Sequence, residues 1–283
     1  MFRQEKRYAG KGGRNTQKPL TMKNDTLKVT LVQTDIHWEK LEENRIHFNQ
    51  KIDSISEQTD MILLPELFST GFSMNANHLA ETMDGTTVQW MLKKANHKNA
   101  LIIGSVLIKE NDNYYNRLIV AFPDGKTLFY DKRHLFSYAG EHRVFEKGKK
   151  RITFEYKGFK ICPLICYDLR FPVWARNDSE YDVLLFVANW PNARISAWDT
   201  LLKARSIENL CYAIGLNRVG VDDNELIYTG HSAVYDAFGT PILSFPDNEE
   251  GTQSVTLEKE HLLTTRKRFS FLEDRDDFEI KLN

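Results

Sequence analysis

No part of this 283-residue chain stays apolar long enough to form a membrane-spanning helix. Its longest apolar run, residues 101–108, already contains Gly104 and Ser105, whereas a helical span needs roughly 20 apolar residues. Charge of one sign is missing too. With 38 basic and 39 acidic side chains the net charge is −1, which argues against a general nucleic-acid or membrane-surface role. Cysteine is scarce: Cys162, Cys166 and Cys211 cannot all pair within one chain. On one strand Cys162 and Cys166 would sit about 13 Å apart, roughly twice the reach of a disulfide. Free thiols fit a reducing compartment, so the expected location is cytoplasmic. Metal-binding spacings such as His-Glu-x-x-His or paired Cys-x-x-Cys do not occur, so no metal is expected. The stretch Gly10-Lys11-Gly12-Gly13 lacks the spacing of a phosphate loop.

Residues 1–21 differ from the rest, with six basic side chains, one acidic side chain and almost no aliphatic ones. They hold no apolar segment of the kind a secretory signal needs. They read as a basic N-terminal extension, either disordered or the product of a start codon assigned too early; a transit peptide is the alternative. From residue 22 to residue 283 there is no repeat, linker or composition break, so one domain is expected.

Strands and helices alternate along that domain. Residues 27–33, 61–64, 101–108, 118–122, 161–165, 183–188 and 211–216 read as strands. Several are continuously apolar, as in strands covered on both faces. Residues 38–56, a stretch around Val88-x-x-Met91-Leu92 and residues 193–210 carry apolar side chains at helical spacing. The charged tail 266–279, with Phe269, Phe271, Leu272 and Phe278 interleaved, reads as an arm that packs on something, another subunit being one choice. This alternation means an α/β layered fold.

Three ionisable groups stand where apolar lead-ins end. Cys166 follows the run 159–165, Glu66 follows Leu63-Leu64-Pro65, and Lys132 follows Tyr130-Asp131. A thiol needs a base or a positive neighbour before it can attack a carbonyl carbon. No histidine directly follows a buried run, so Glu66 is the candidate base and Lys132 the fixed positive charge that favours the thiolate or holds an oxyanion. The backbone N–H of Tyr167, at the turn after the sulfur, is the second oxyanion donor. Taken singly, such residues are more often inert core, helix cap or solvated surface, and Cys162 and Cys211 read as core.

The segments Leu63-Leu64-Pro65-Glu66, Asp131-Lys132-Arg133-His134-Leu135-Phe136 and Cys166-Tyr167-Asp168-Leu169-Arg170-Phe171-Pro172 resemble the Glu, Lys and Cys signatures of the nitrilase superfamily of carbon–nitrogen hydrolases. They come in that family's order. The similarity extends through Ala188-Asn189-Trp190-Pro191, residues 203–209, Gly230-His231-Ser232 and Lys267-Arg268-Phe269. The resemblance implies a four-layer α-β-β-α sandwich assembled as a homodimer or higher homo-oligomer. It also implies a Glu66–Lys132–Cys166 catalytic triad that works without metal or organic cofactor. Glu141 falls where the family has a second glutamate that positions substrate and triad; Glu146 lies close by, and a solvated loop residue is the duller reading.

Within the family, the run from Cys166 to Trp174 together with Ala188-Asn189-Trp190-Pro191 looks most like the ω-amidases. That implies hydrolysis of the terminal amide of 2-oxoglutaramate or 2-oxosuccinamate through a cysteine thioester. Deaminated glutathione amidase, N-carbamyl hydrolase, nitrilase and a catalytically silent scaffold are the alternatives. A substrate with a remote carboxylate needs a positive group besides Lys132. Arg170, four residues after the sulfur, is the candidate, unless it pairs with Asp168 or Glu208. Trp190 either walls the pocket or belongs to the core.

Overall fold

The computed structural model describes residues 25–281, so the basic extension at residues 1–21 lies outside the described residues. The first half of the chain runs β1 (Thr26–Gln33), α1 (Leu41–Asp53), β2 (Met61–Leu63), α2 (Ala76–Leu79), α3 (Thr86–Lys98), β3 (Leu101–Glu110), β4 (Asn113–Ala121) and β5 (Thr127–Asp131). The second half continues with β6 (Phe154–Tyr156), β7 (Phe159–Ile165), α4 (Pro172–Ala175), β8 (Val183–Val187), α5 (Ile195–Asn209) and β9 (Tyr212–Leu216). A two-stranded ribbon, β10 (Val219–Val221) and β11 (Ile227–Thr229), precedes β12 (Ala233–Tyr235) and β13 (Pro241–Ser244). The long strand β14 (Gly251–Glu258) and helix α6 (Lys259–Arg268) complete the ordered elements.

Two six-stranded sheets result, ordered β14-β1-β2-β3-β4-β5 and β13-β12-β9-β8-β7-β6. In the first, β1, β2 and β3 are parallel, and β4 runs antiparallel to both β3 and β5. Hence β5 points the same way as β2. In the second, β7, β8 and β9 are parallel. Period-two alternation divides the first sheet's side chains. Leu27, Val29, Leu31, Met61, Leu63, Leu101 and Ile103 join the cluster shared with β7, β8 and β9. On its other face Val32, Ile62, Ile102 and Ile119 meet Phe48 and Ile52 of α1 and Val88, Met91 and Ala95 of α3. Helix α5 covers the outer face of the second sheet. It packs so closely that a Cβ on Gly215 would fall 2.4 Å from Leu202. The layers are therefore α-β-β-α, as expected.

Two helices differ from the sequence reading, and β4 begins five residues earlier than the strand read over residues 118–122. Helix α1 begins only at Leu41, because Glu39 adopts a positive φ of 56° and its carboxylate bonds Ser73 and Asn75 instead of extending a helix. The buried face of α5 turns polar after Leu202. Arg205, Ser206 and Asn209 are buried, and Arg205 donates to the Leu169 carbonyl at 2.6 Å, so this stretch ties the helix to the turn that carries Cys166.

Candidate active site

Strand direction explains why residues far apart in sequence meet. Glu66 follows the C-terminal end of β2, Lys132 that of β5, Cys166 that of β7 and Asn189 that of β8. In open α/β sheets the ends of parallel strands are where ligands bind.

All three triad candidates are brought together. The Lys132 Nζ donates to Glu66 Oε1 at 2.8 Å and to both Glu141 oxygens at 3.0 Å, all three side chains being fully buried. The Cys166 thiol donates to the Asn189 carbonyl at 3.9 Å, and the Glu66 charge acts on it. Glu141 joins the cluster directly. It also accepts the Phe136 backbone N–H at 2.5 Å, while Glu146, the nearby alternative, is exposed.

Two asparagines to which sequence reasoning gave no role complete the arrangement. The Asn116 Nδ2 donates to Glu66 Oε1 at 2.8 Å and to Glu141 Oε1 at 3.2 Å, bridging the two carboxylates. The Asn189 backbone N–H donates to Glu66 Oε2 at 2.8 Å, and its side chain donates to the Glu66 carbonyl at 2.5 Å. The signal for Asn116 is its pairing with Lys132, whose N–H donates to the Asn116 carbonyl. That pairing is not a local property of the chain. Gly148 holds the same strand end from outside, packed so that a Cβ there would fall 1.9 Å from the Asp131 carbonyl oxygen.

Cys166 itself sits at φ 42°, in the left-handed region, immediately after β7. A side chain in that conformation is uncommon and costs roughly 1–3 kcal/mol, so the surrounding contacts must hold it. Asp168 supplies several of them. Fully buried, it accepts the Ile165 N–H at 3.1 Å, the Tyr130 hydroxyl at 2.7 Å and the His134 N–H at 2.9 Å. The His134 Nδ1 lies 2.7 Å from the same carboxylate, and its ring stacks on Phe171 at 3.6 Å. Asp168 thus joins the turn bearing the sulfur to the loop bearing Lys132. Asp168→Asn replaces one acceptor oxygen by a donor among these donors, at a cost of about 2–4 kcal/mol. Turnover should fall at least tenfold with KM nearly constant. A variant with lowered thermal stability but unchanged kcat would limit Asp168 to a structural role.

Electrostatics set the resting protonation. Burial opposes the charge on Lys132, but the carboxylates of Glu141 and Glu66 outweigh it and hold the ammonium above its ordinary range. Burial pushes the Glu141 carboxyl up. For Cys166 the lysine acts in the expected direction, towards the thiolate, but does not prevail. Burial, reinforced by the Glu66 charge, outweighs Lys132 and raises the thiol well above its usual range. The resting sulfur is therefore protonated at neutral pH. Alkylation of Cys166 by iodoacetamide should keep climbing through pH 9, and a plateau by pH 7 would contradict this. Cys162, pushed up to about 12 by burial, is core, as expected.

Above the sulfur opens a cavity whose empty space, counted out through its open mouth, is about 470 Å³. Its walls include Phe72, Phe136, Tyr167 and Trp190. Trp190 is both wall and core, being buried against Trp198 while lining the cavity. Arg170 also lines it. Neither alternative partner engages Arg170: Asp168 is taken by Tyr130 and His134, and Glu208 pairs with Arg205. The Arg170 guanidinium lies 5.0 Å from the Trp190 ring centre. The buried thiol, carboxylate and ammonium beside this cavity can form and hydrolyse an acyl-enzyme. Among the described residues, no group of His, Cys, Asp and Glu suited to a metal ion occurs.

Residues 28–267 match the carbon–nitrogen hydrolase family. Omega-amidase YafV of Yersinia enterocolitica is 45% identical over 255 residues, covering 89% of this chain and 98% of that protein. The 2-oxoglutaramate amidase of Bacillus subtilis is 34% identical over 253 residues, covering 87% of this chain and 96% of its own. Among solved structures, XC1258 from Xanthomonas campestris superposes with a TM-score of 0.88 at 43% identity, covering 90% of this chain and 99% of that one. It is described as a CN-hydrolase superfamily protein with an arsenic adduct in the active site. Nit3 of Saccharomyces cerevisiae, a nitrilase-superfamily member, shares the fold with a TM-score of 0.76 at 22% identity, covering 87% of this chain and 94% of its own.

Proposed function

Since the chain belongs to the carbon–nitrogen hydrolase family, we propose that it hydrolyses the terminal amide of a small 2-oxo acid, 2-oxoglutaramate or 2-oxosuccinamate, to the dicarboxylate and ammonia. One observation carries this reading. The cavity has an acylatable thiol at its buried end and, in Arg170, a guanidinium in its wall that has no acidic partner among the described residues. A linear substrate with an amide at one end and a carboxylate at the other matches both. The names of the bacterial relatives support the same substrate class.

The steps follow from the contacts. Glu66 takes the Cys166 proton as sulfur adds to the amide carbonyl carbon. The protonated ground state of the thiol makes a base necessary. Lys132 and the Tyr167 N–H receive the developing oxyanion, a donor set worth on the order of 10²–10³ per donor in turnover. Glu66 returns the proton to the leaving nitrogen, ammonia departs, and a thioester remains. It then takes a proton from water as the oxygen adds to the thioester, and the departing sulfur recovers that proton. Glu141 and Asn116 keep Lys132 and Glu66 in place throughout. No step calls on a metal or organic cofactor.

The test is ammonia release from 2-oxoglutaramate, simple aliphatic amides, an N-carbamyl amino acid and a nitrile. The 2-oxo amide should lead in kcat/KM by at least tenfold. A lead for the N-carbamyl compound or the nitrile would overturn the reading. We also propose a homodimer or higher homo-oligomer, supported by exposed apolar side chains Ile207, Phe238, Leu263 and Phe271 and testable by light scattering. A cytoplasmic location is supported by three unpaired cysteines. Among the described residues, no helix is long and apolar enough to cross a membrane.

A further inference from the structure

A second guanidinium lines the same cavity. Arg194 sits at the N-terminal boundary of α5, half-buried, and among the described residues it makes no ion pair. Its charge is nevertheless held in place. The guanidinium carbon lies 4.9 Å from the Phe136 ring centre, and the Arg194 carbonyl accepts the Trp190 indole N–H at 2.8 Å. Trp190 is also the ring under Arg170. One indole therefore carries the first arginine on its face and anchors the second by its edge. The carboxylates near the cavity, Glu66 and Glu141, are turned to Lys132 at the buried end, and among the described residues no acidic side chain lines the wall.

We propose that Arg194 is the second half of a two-arginine clamp with Arg170, and that this clamp sets substrate choice at the carbon next to the remote carboxylate. The inference rests on the amidase reading above. Two unpaired guanidiniums supply forked donors for a carboxylate and an adjacent acceptor oxygen together, which a 2-oxo acid presents in one plane. They disfavour a cation at that carbon. An α-ammonium group would face two positive charges across a largely apolar wall with no carboxylate to receive it. Free amino-acid amides such as glutamine are thereby rejected, while their 2-oxo counterparts are accepted. Selection comes from what the pocket repels as much as from what it binds.

The experiment compares wild type, Arg194→Met and Arg194→Lys on three amides of similar length: 2-oxoglutaramate, L-glutamine and uncharged valeramide. Losing a hydrogen bond to a charged group costs about 10- to 100-fold in affinity. Arg194→Met should raise KM for 2-oxoglutaramate by that factor with kcat within about threefold. It should leave kcat/KM for valeramide nearly unchanged and narrow the gap between 2-oxoglutaramate and glutamine. The lysine variant should recover part of the KM, because it restores charge without the fork. An unchanged KM for 2-oxoglutaramate in Arg194→Met, or equal losses on all three amides, would overturn the proposal. The amidase reading is judged separately, from the wild-type ranking of substrates. If wild type shows no preference for the 2-oxo acid, repeating the pair with succinamate and butyramide still reads the effect of Arg194 on an anionic amide.

Discussion

Cys166→Ala should leave a folded protein with no measurable turnover. The expected loss is on the order of 10⁵–10⁶-fold, the size seen when a covalent nucleophile is removed. Stability should barely move, because the sulfur borders an existing cavity and its loss enlarges that space without opening a sealed void. Alanine meets the same left-handed strain as cysteine at φ 42°, so the turn gains no new penalty. The sulfur also gives up only a long contact of 3.9 Å to the Asn189 carbonyl. Ammonia release, a thermal melt and calorimetric binding of intact 2-oxoglutaramate check the three parts. Binding without turnover is the expected combination. Residual activity above about one part in a thousand would remove the thioester from the mechanism. Cys162→Ala and Cys211→Ala are the matched controls and should retain full kcat, since both thiols are buried in the core away from the cavity.

The triad residues were legible because each depends on a local property. An apolar run that ends in an ionisable group marks a strand end, and β2, β5 and β7 all end that way. What remained hidden depends on pairing between segments distant in sequence. Asn116 lies beyond the apolar part of β4 and reads as loop; only the register of β4 against β5 sets it beside Lys132. Asp168 was weighed merely as a partner for Arg170, whereas its four contacts come from β5, the loop after it and the end of β7. Arg117, which the sequence reading does not single out, is fully buried, paired with Asp131 and lying 3.9 Å from the Phe129 ring centre. The resting protonation of the thiol is hidden for a related reason. Sequence shows that a lysine is available, but the balance between its charge, the Glu66 charge and burial is a matter of three-dimensional distance. Layer order is carried in the sequence only by the family resemblance, because β1 and β3 are buried on both faces and their side chains alternate between two clusters.

Lys132→Met should cost about 3–5 kcal/mol of stability as well as all activity. That is the usual consequence of removing one partner from a buried ionic cluster. In the native protein one ammonium lies between two carboxylates, with every member excluded from water. Methionine fills a similar volume but leaves Glu66 and Glu141 facing each other with Asn116, the Asn189 N–H and the Phe136 N–H as donors and no cation. Their charge then has to be relieved by taking up a proton. Burial already lifts the Glu141 carboxyl even with Lys132 present, and removing the ammonium lifts it further. The pH dependence follows from that direction. A carboxyl whose folded pKa lies above its unfolded value binds a proton that the unfolded chain releases. Folding is favoured while the group stays protonated, and that advantage is lost as pH rises from the unfolded value through the folded one. The variant should therefore be destabilised least near pH 5 and progressively more towards pH 8, with a steeper slope than wild type in urea denaturation. An equal loss at both pH values would mean that the cost is packing and not charge. The double change Lys132→Met with Glu141→Gln separates the two: it should regain most of the stability at pH 8 and none of the turnover, because the carboxylate repulsion is gone while the oxyanion still lacks its ammonium.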